Sequence, residues 1–141
     1  MNSEKDSHSD GQLREIYNFK NIAVVGMSTN PAKAGHFVPK YLMKVGYNII
    51  PVNPNSSEIL GLKSFSKVSE INLDVEIVDV FRKSEDVSDV VLDTLKKSGI
   101  KVIWLQEGIH DKEAEQTAKS KGIDVVFNRC MMAEHIRLFG T

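Results

Sequence analysis

Short apolar runs of strand type recur along this chain, and most are followed by a segment whose apolar residues repeat at helical spacing. The strand-like runs are Ile22–Val25, Asn48–Val52, Val75–Phe81, Lys101–Leu105 and Ile123–Phe127. The first of them is apolar on both faces, as buried strands of a parallel sheet are. Between the first two, Phe37, Val38, Tyr41, Leu42 and Val45 fall at i, i+1, i+4, i+5 and i+8. That is one face of an amphipathic helix, and Gly46 is placed to end it. Ser84 is placed to cap a further helix with Val87, Val90, Val91 and Leu95 facing inward and Gly99 at its end. Asp111 caps another, closed by Gly122, and Met131–Phe139 forms a last one. A weaker segment at Leu62–Phe65 predicts a short strand at the sheet edge.

Strands alternating with helices of this length build βαβ units, so the expected fold class is α/β: a Rossmann-like doubly wound parallel sheet, single domain. Right-handed crossovers and a start near the middle give strand order 3-2-1-4-5, with the final strand extending that edge. The 141 residues suit one domain. Residues 13–141 are expected to form it, and residues 1–12 a flexible tail, because MNSEKDSHSD offers nothing apolar to bury. Leu13, Ile16 and Tyr17 recur at helical spacing and lead into the first strand.

Composition narrows the function classes. A formal net charge of −1 gives no bulk field for nucleic acid or an anionic membrane. No apolar run approaches the ~20 residues that span a bilayer, and the N-terminus lacks the apolar core of a signal peptide. The single cysteine, Cys130, forms no internal disulfide and fits a cytoplasmic location. Four scattered histidines and one cysteine show no metal-ligand spacing.

In such a sheet, ligands sit outside the carboxyl ends of the strands. Here those ends are Gly26–Lys33, Asn53–Ser57, Arg82–Lys83, Gln106–His110 and Asn128–Cys130. Gly26 permits a sharp turn, Ser28, Thr29 and Asn30 can donate to phosphate oxygens, and Lys33 adds charge at a helix start. His36 lies beside that loop. The loop lacks the dinucleotide fingerprint, since Ser28 stands where a second glycine belongs. The second strand ends in Asn53, not the Asp or Glu that accepts from an NAD ribose, while Val52 and Pro54 can pack on a base. Phe81, Arg82 and Lys83 offer a ring and two cations. Gln106 and Gly108 line the crevice, and Arg129 either reaches an anion or anchors the last helix. Trp104 is expected in the core. Cys130 reads either as a small buried hydrophobe or as a thiol that meets a ligand, and the neighbours Glu134 and His135 point different ways on a helix.

From about Asn21 to Leu138 the chain resembles the stand-alone CoA-binding domain proteins, Rossmann-like relatives of the N-terminal domain of the succinyl-CoA synthetase α subunit. The residues that carry the resemblance are Ile-Ala-Val-Val-Gly-Met-Ser (22–28), Asn-Pro (30–31), Pro-Val-Asn-Pro (51–54), Val-Asp-Val-Phe-Arg (78–82), Trp-Leu-Gln (104–106) and Asn-Arg-Cys-Met (128–131). It implies coenzyme A as ligand. The Gly26–Lys33 loop, Met27 and Thr29 included, would hold the phosphates. Val52–Asn53 and Phe81–Arg82 would flank the adenosine, and Gln106–Gly108 would face the pantetheine arm. No nucleophile–base pair or carboxylate pair stands out in the strand-end set. The expectation is therefore non-catalytic binding of CoA or acyl-CoA, with no nucleic acid and no membrane; a homo-oligomer or an unidentified protein partner is left open. Two alternatives remain: a small NAD(P)-dependent oxidoreductase, and a redox-linked protein forming a mixed disulfide with CoA through Cys130.

Overall fold

A computed structural model describes residues 4–140. Five parallel strands form the sheet: β1 (Asn21–Val25), β2 (Asn48–Val52), β5 (Ile77–Val80), β6 (Val102–Leu105) and β7 (Asp124–Val126). Their order is β2-β1-β5-β6-β7. The chain therefore starts near the centre, builds outward to β2, then returns to the other side of β1. This is the Rossmann-like arrangement that the alternation of strand and helix predicts.

The edge strand expected at Leu62–Phe65 is reduced to less. β3 (Glu58–Ile59) and β4 (Leu62–Lys63) form a separate antiparallel hairpin, and only Phe65 bridges to Val52 of β2. The hairpin turns through Leu60 and Gly61, both at positive φ.

Side-chain alternation on the strands divides the core into two layers. Ile22, Val24, Ile77, Val102, Trp104 and Val126 pack on one face, with α1 (Asp10–Ile16), α2 (Ala34–Lys44) and α5 (Met131–Phe139). Ala23, Val25, Ile50, Val78, Val80, Ile103 and Leu105 pack on the other, with α3 (Val87–Thr94) and α4 (Lys112–Ser120). Trp104 is fully buried, and its indole Nε1 donates to the Arg129 carbonyl at 2.7 Å. One strand residue breaks the apolar pattern: Asp79, in the middle of β5, has no exposure.

Two local expectations change. Ser84 does not cap α3: a 3-10 turn over Ser84–Asp86 precedes that helix, and Ser84 Oγ instead accepts from the His110 N–H at 3.1 Å. At the N-terminus, α1 begins at Asp10, three residues before Leu13, because Ser9 and Gln12 form a reciprocal capping box. The segment before it, expected as tail, is tied down by charge from Asp6 onward. The His8 ring bridges Asp6 and Asp124 at 2.8 Å each, and Arg129 Nε donates to Asp6 at 2.9 Å. Asp111 does cap α4, accepting from the Ala114 N–H.

Candidate functional site

The carboxyl ends of β1, β2, β5 and β6 border an open crevice of about 820 Å³. Its floor begins at Gly26, where φ is +81° and a Cβ would lie 2.5 Å from the Phe81 carbonyl oxygen. Only glycine allows the β1 and β5 turns to approach this closely. Gly35 serves the same end, since a Cβ there would lie 2.9 Å from the Gly26 carbonyl oxygen.

The loop from Gly26 to Lys33 is held by its own polar groups and by α2. Pro39 sits inside α2 and has no N–H to give the Gly35 carbonyl. Ser28 N–H takes that acceptor instead, at 3.0 Å. A proline that weakens the helix thus supplies an anchor for the loop. Ser28 Oγ accepts from the Asn30 N–H and Asn30 Oδ1 from the Ala32 N–H, both at 3.0 Å. His36 Nδ1 donates to the Ser28 carbonyl at 2.7 Å. Asn53 ties the second strand end to the first: Nδ2 donates to the Met27 carbonyl at 2.9 Å and Oδ1 accepts from the Asn55 N–H at 2.8 Å.

Of the residues expected at the site, Gly26, Ser28, Thr29, Lys33, Asn53, Phe81, Arg82, Lys83 and Gln106 line this crevice together. Met27 lines it too, but its side chain is fully buried in the core, so its backbone is what the crevice meets. Val52 and Pro54 line an adjoining cavity of about 420 Å³ that shares Arg82 with the first. Asn30, His36, Gly108 and Arg129 line neither, and each has another use. Asn30 and His36 brace the loop. Gly108 N–H donates to Asn128 Oδ1 at 2.6 Å, where Asn128 takes the left-handed conformation. The Arg129 guanidinium is consumed by Asp6 and Glu134 in ion pairs of 2.9 and 2.6 Å.

The electrostatics favour an anion at the α2 end. Among the described residues neither Lys33 nor Lys83 has an ion-pair partner, while Arg82 pairs with Asp86 at 3.1 Å. At the other end the crevice reaches Gln106, Glu107 and Cys130. Cys130 stands at the start of α5, where the backbone N–H groups of Ala133 and Met132 turn to its sulfur, yet burial pushes the thiol up. Beneath Gln106 lies Asp79, whose burial drives its carboxyl up to about 8. The Glu134–His135 pair divides as helix geometry requires. Glu134 binds Arg129 and Arg137, and His135 faces the Tyr41 hydroxyl at 2.8 Å with burial holding its pKa down.

Ala34 and Gly35 also line the crevice, outside the expected strand ends, whereas Asn55, Ser56, Glu107 and Ile109 fall within strand-end segments expected there without being singled out. Most are backbone or small-residue contributions that carry no chemical signature. Asp79 did carry one: a lone acid inside Ile77–Val80 is out of place in a buried strand.

Known proteins share this fold. A family model described as a CoA binding domain matches residues 20–136. A Bacillus subtilis protein, YneT, is 40% identical over 128 residues, covering 90% of this chain and 94% of its own. The crystal structure of Prb, a PH1109 protein redesigned for binding, superposes with a TM-score of 0.93 at 41% identity, covering 96% of each chain. An ADP-forming acetate–CoA ligase from Methanocaldococcus jannaschii is 27% identical over 142 residues, and this chain spans only 20% of its length. No helix among the described residues is long and apolar enough to cross a membrane. With the family model covering most of its length, the chain belongs to the CoA-binding domain family.

Proposed function

We propose that the protein binds coenzyme A, or an acyl-CoA, in the crevice at the strand ends and performs no chemistry on it. The observation that carries this reading is the crevice's polarity. Lys33 on the phosphate loop and Lys83 after β5, neither with an ion-pair partner among the described residues, face a carboxamide and a thiol at the far end, and the chain belongs to a CoA-binding family. The diphosphate lies against the Gly26–Lys33 loop, where Lys33 and Lys83 supply charge and the loop supplies backbone and Ser28 donors. The adenosine lies over Arg82, between Phe81 and the Val52–Pro54 turn, and so occupies the junction of the two cavities. The pantetheine arm runs past Gln106 toward Cys130.

Calorimetric titration tests this directly. CoA is expected to bind at micromolar affinity, dephospho-CoA more weakly, and NADH without measurable heat. No heat with millimolar CoA would overturn the reading. Nothing favours the NAD(P) alternative, because both polar ends of the Asn53 carboxamide are engaged by Met27 and Asn55.

One observation favours the redox-linked alternative as a second reading: Cys130 lines the same crevice. With CoA disulfide as oxidant, the Cys130 thiolate attacks one sulfur. A Cys130–CoA disulfide forms, the original S–S bond breaks, and one CoA thiolate leaves. The raised pKa makes this exchange faster at pH 9 than at pH 7. Intact mass after incubation with CoA disulfide decides it: an unchanged mass, or an adduct that persists in Cys130→Ala, refutes the reading.

A further inference from the structure

Asp79 occupies a position where β1 and β6 supply Val24 and Trp104 as its cross-strand neighbours. A valine or leucine would fill that place without an unpaired oxygen. Asp79 instead leaves Oδ2 buried with no hydrogen-bond partner, while Oδ1 accepts from Gln106 Nε2 at 2.5 Å. Orphaned oxygens of this kind call for a reason beyond packing. The titratable groups that couple to it, Tyr17 at the end of α1 and Cys130 at the start of α5, are acids and bring no cation. The uncharged carboxyl is therefore the form that suits this site at neutral pH.

Gln106 is nearly buried but borders the crevice. Its Nε2 is occupied by Asp79, and among the described residues its Oε1 has no protein partner. We propose that Asp79 is a positioning residue that sets the polarity of this end of the crevice. By holding Gln106 Nε2, it turns Oε1 to the ligand as a hydrogen-bond acceptor, so that the site selects an arm carrying an amide N–H. This rests on the CoA reading, since the pantetheine arm carries two amide N–H groups and a bare nucleotide carries none there. Selectivity for the arm over the nucleotide is thus assigned to a pair of which one member never meets the ligand.

The test compares CoA with 3′-phospho-ADP, which keeps the nucleotide and lacks the arm, by calorimetric titration of three proteins. Wild type is expected to prefer CoA. The double variant Asp79→Leu/Gln106→Met is expected to lose about tenfold in CoA affinity, the worth of one hydrogen bond, with 3′-phospho-ADP unchanged. Its melting temperature is expected to match or exceed wild type, because both polar partners leave together. Asp79→Asn keeps an acceptor for Nε2 and is expected to bind CoA within about twofold of wild type. Equal loss for both ligands in the double variant, or no loss for CoA, overturns the proposal. Should the double variant not fold, Gln106→Met alone gives the same ratio test. A wild type that binds CoA and 3′-phospho-ADP equally refutes the selectivity while leaving CoA binding intact; one that binds neither refutes the CoA reading itself.

Discussion

Replacing Gly26 by alanine isolates the steric demand on which the crevice rests. Two costs add. The φ of +81° places an L-residue in a strained region, worth about 1–2 kcal/mol. The new Cβ also meets the Phe81 carbonyl oxygen at 2.5 Å and Arg82 Cδ at 3.1 Å. Arg82 can swing away, but the Phe81 peptide is held by its N–H to the Val25 carbonyl at 2.8 Å. The β1 and β5 ends must therefore separate, at a further cost of about 1–3 kcal/mol, as for other overpacked sites. Gly61 is the control, because it has φ +76° and nothing within 4 Å of a built Cβ. Urea unfolding is expected to show Gly61→Ala losing about 1–2 kcal/mol and Gly26→Ala about 2–5 kcal/mol, with unchanged m-values. CoA affinity is expected to fall only in Gly26→Ala. If the two variants lose equal stability, the close approach of the strand ends does not constrain the fold and the reasoning fails.

Lys33→Ala removes from the phosphate loop a cation with no ion-pair partner among the described residues, and is expected to weaken CoA by roughly tenfold at low salt, less at high salt, in titrations at two ionic strengths. An effect independent of salt would contradict that role. His8 is raised from 6.5 to about 9, first by its bond to Asp124 and then by that to Asp6. Its stabilisation is full below pH 6.5 and lost as pH rises through 9. Screening at half-exposed Asp124 reduces it to about 1–2 kcal/mol. His8→Asn should therefore melt lower than wild type at pH 6 and nearly level with it at pH 10; a constant difference would count against the bridge. Asp79 moves stability with pH in the same direction, over a lower range, because its folded carboxyl stays protonated up to about 8 while the unfolded one ionises near 3.8. Wild type loses stability between those values, so thermal melts of Asp79→Asn should gain on wild type from pH 5 to pH 8.

The sheet was legible in the sequence because its strands are apolar on both faces and its helices amphipathic, so one periodicity marks each element. The crevice was partly legible for the same reason: strand ends converge wherever the topology sends them. What escaped was set by pairings that neighbouring residues do not announce. Arg129 looks like an anion ligand until Asp6, 123 residues away, takes its guanidinium. Ser84 looks like a cap until the His110 N–H reaches it. The β3–β4 hairpin turns on Leu60 at φ +53°, a conformation no rule would assign to leucine. Pro39 argues locally against a helix through 34–44, and only the distant Ser28 N–H shows why it is tolerated.

The crevice is assembled from segments that lie as far apart as Gly26 and Cys130, each carried by a different strand end. No supersecondary unit smaller than nearly the whole sheet holds a complete set of contacts. A ligand there has nothing to grip in a partly opened chain, so its binding free energy is added to the barrier against opening everywhere at once. At a hundredfold excess over Kd that is about 2.7 kcal/mol. Amide hydrogens in β7, far from the phosphates, are thus expected to exchange as much more slowly as those in β1, and occupancy becomes a measure of whether the chain has finished folding.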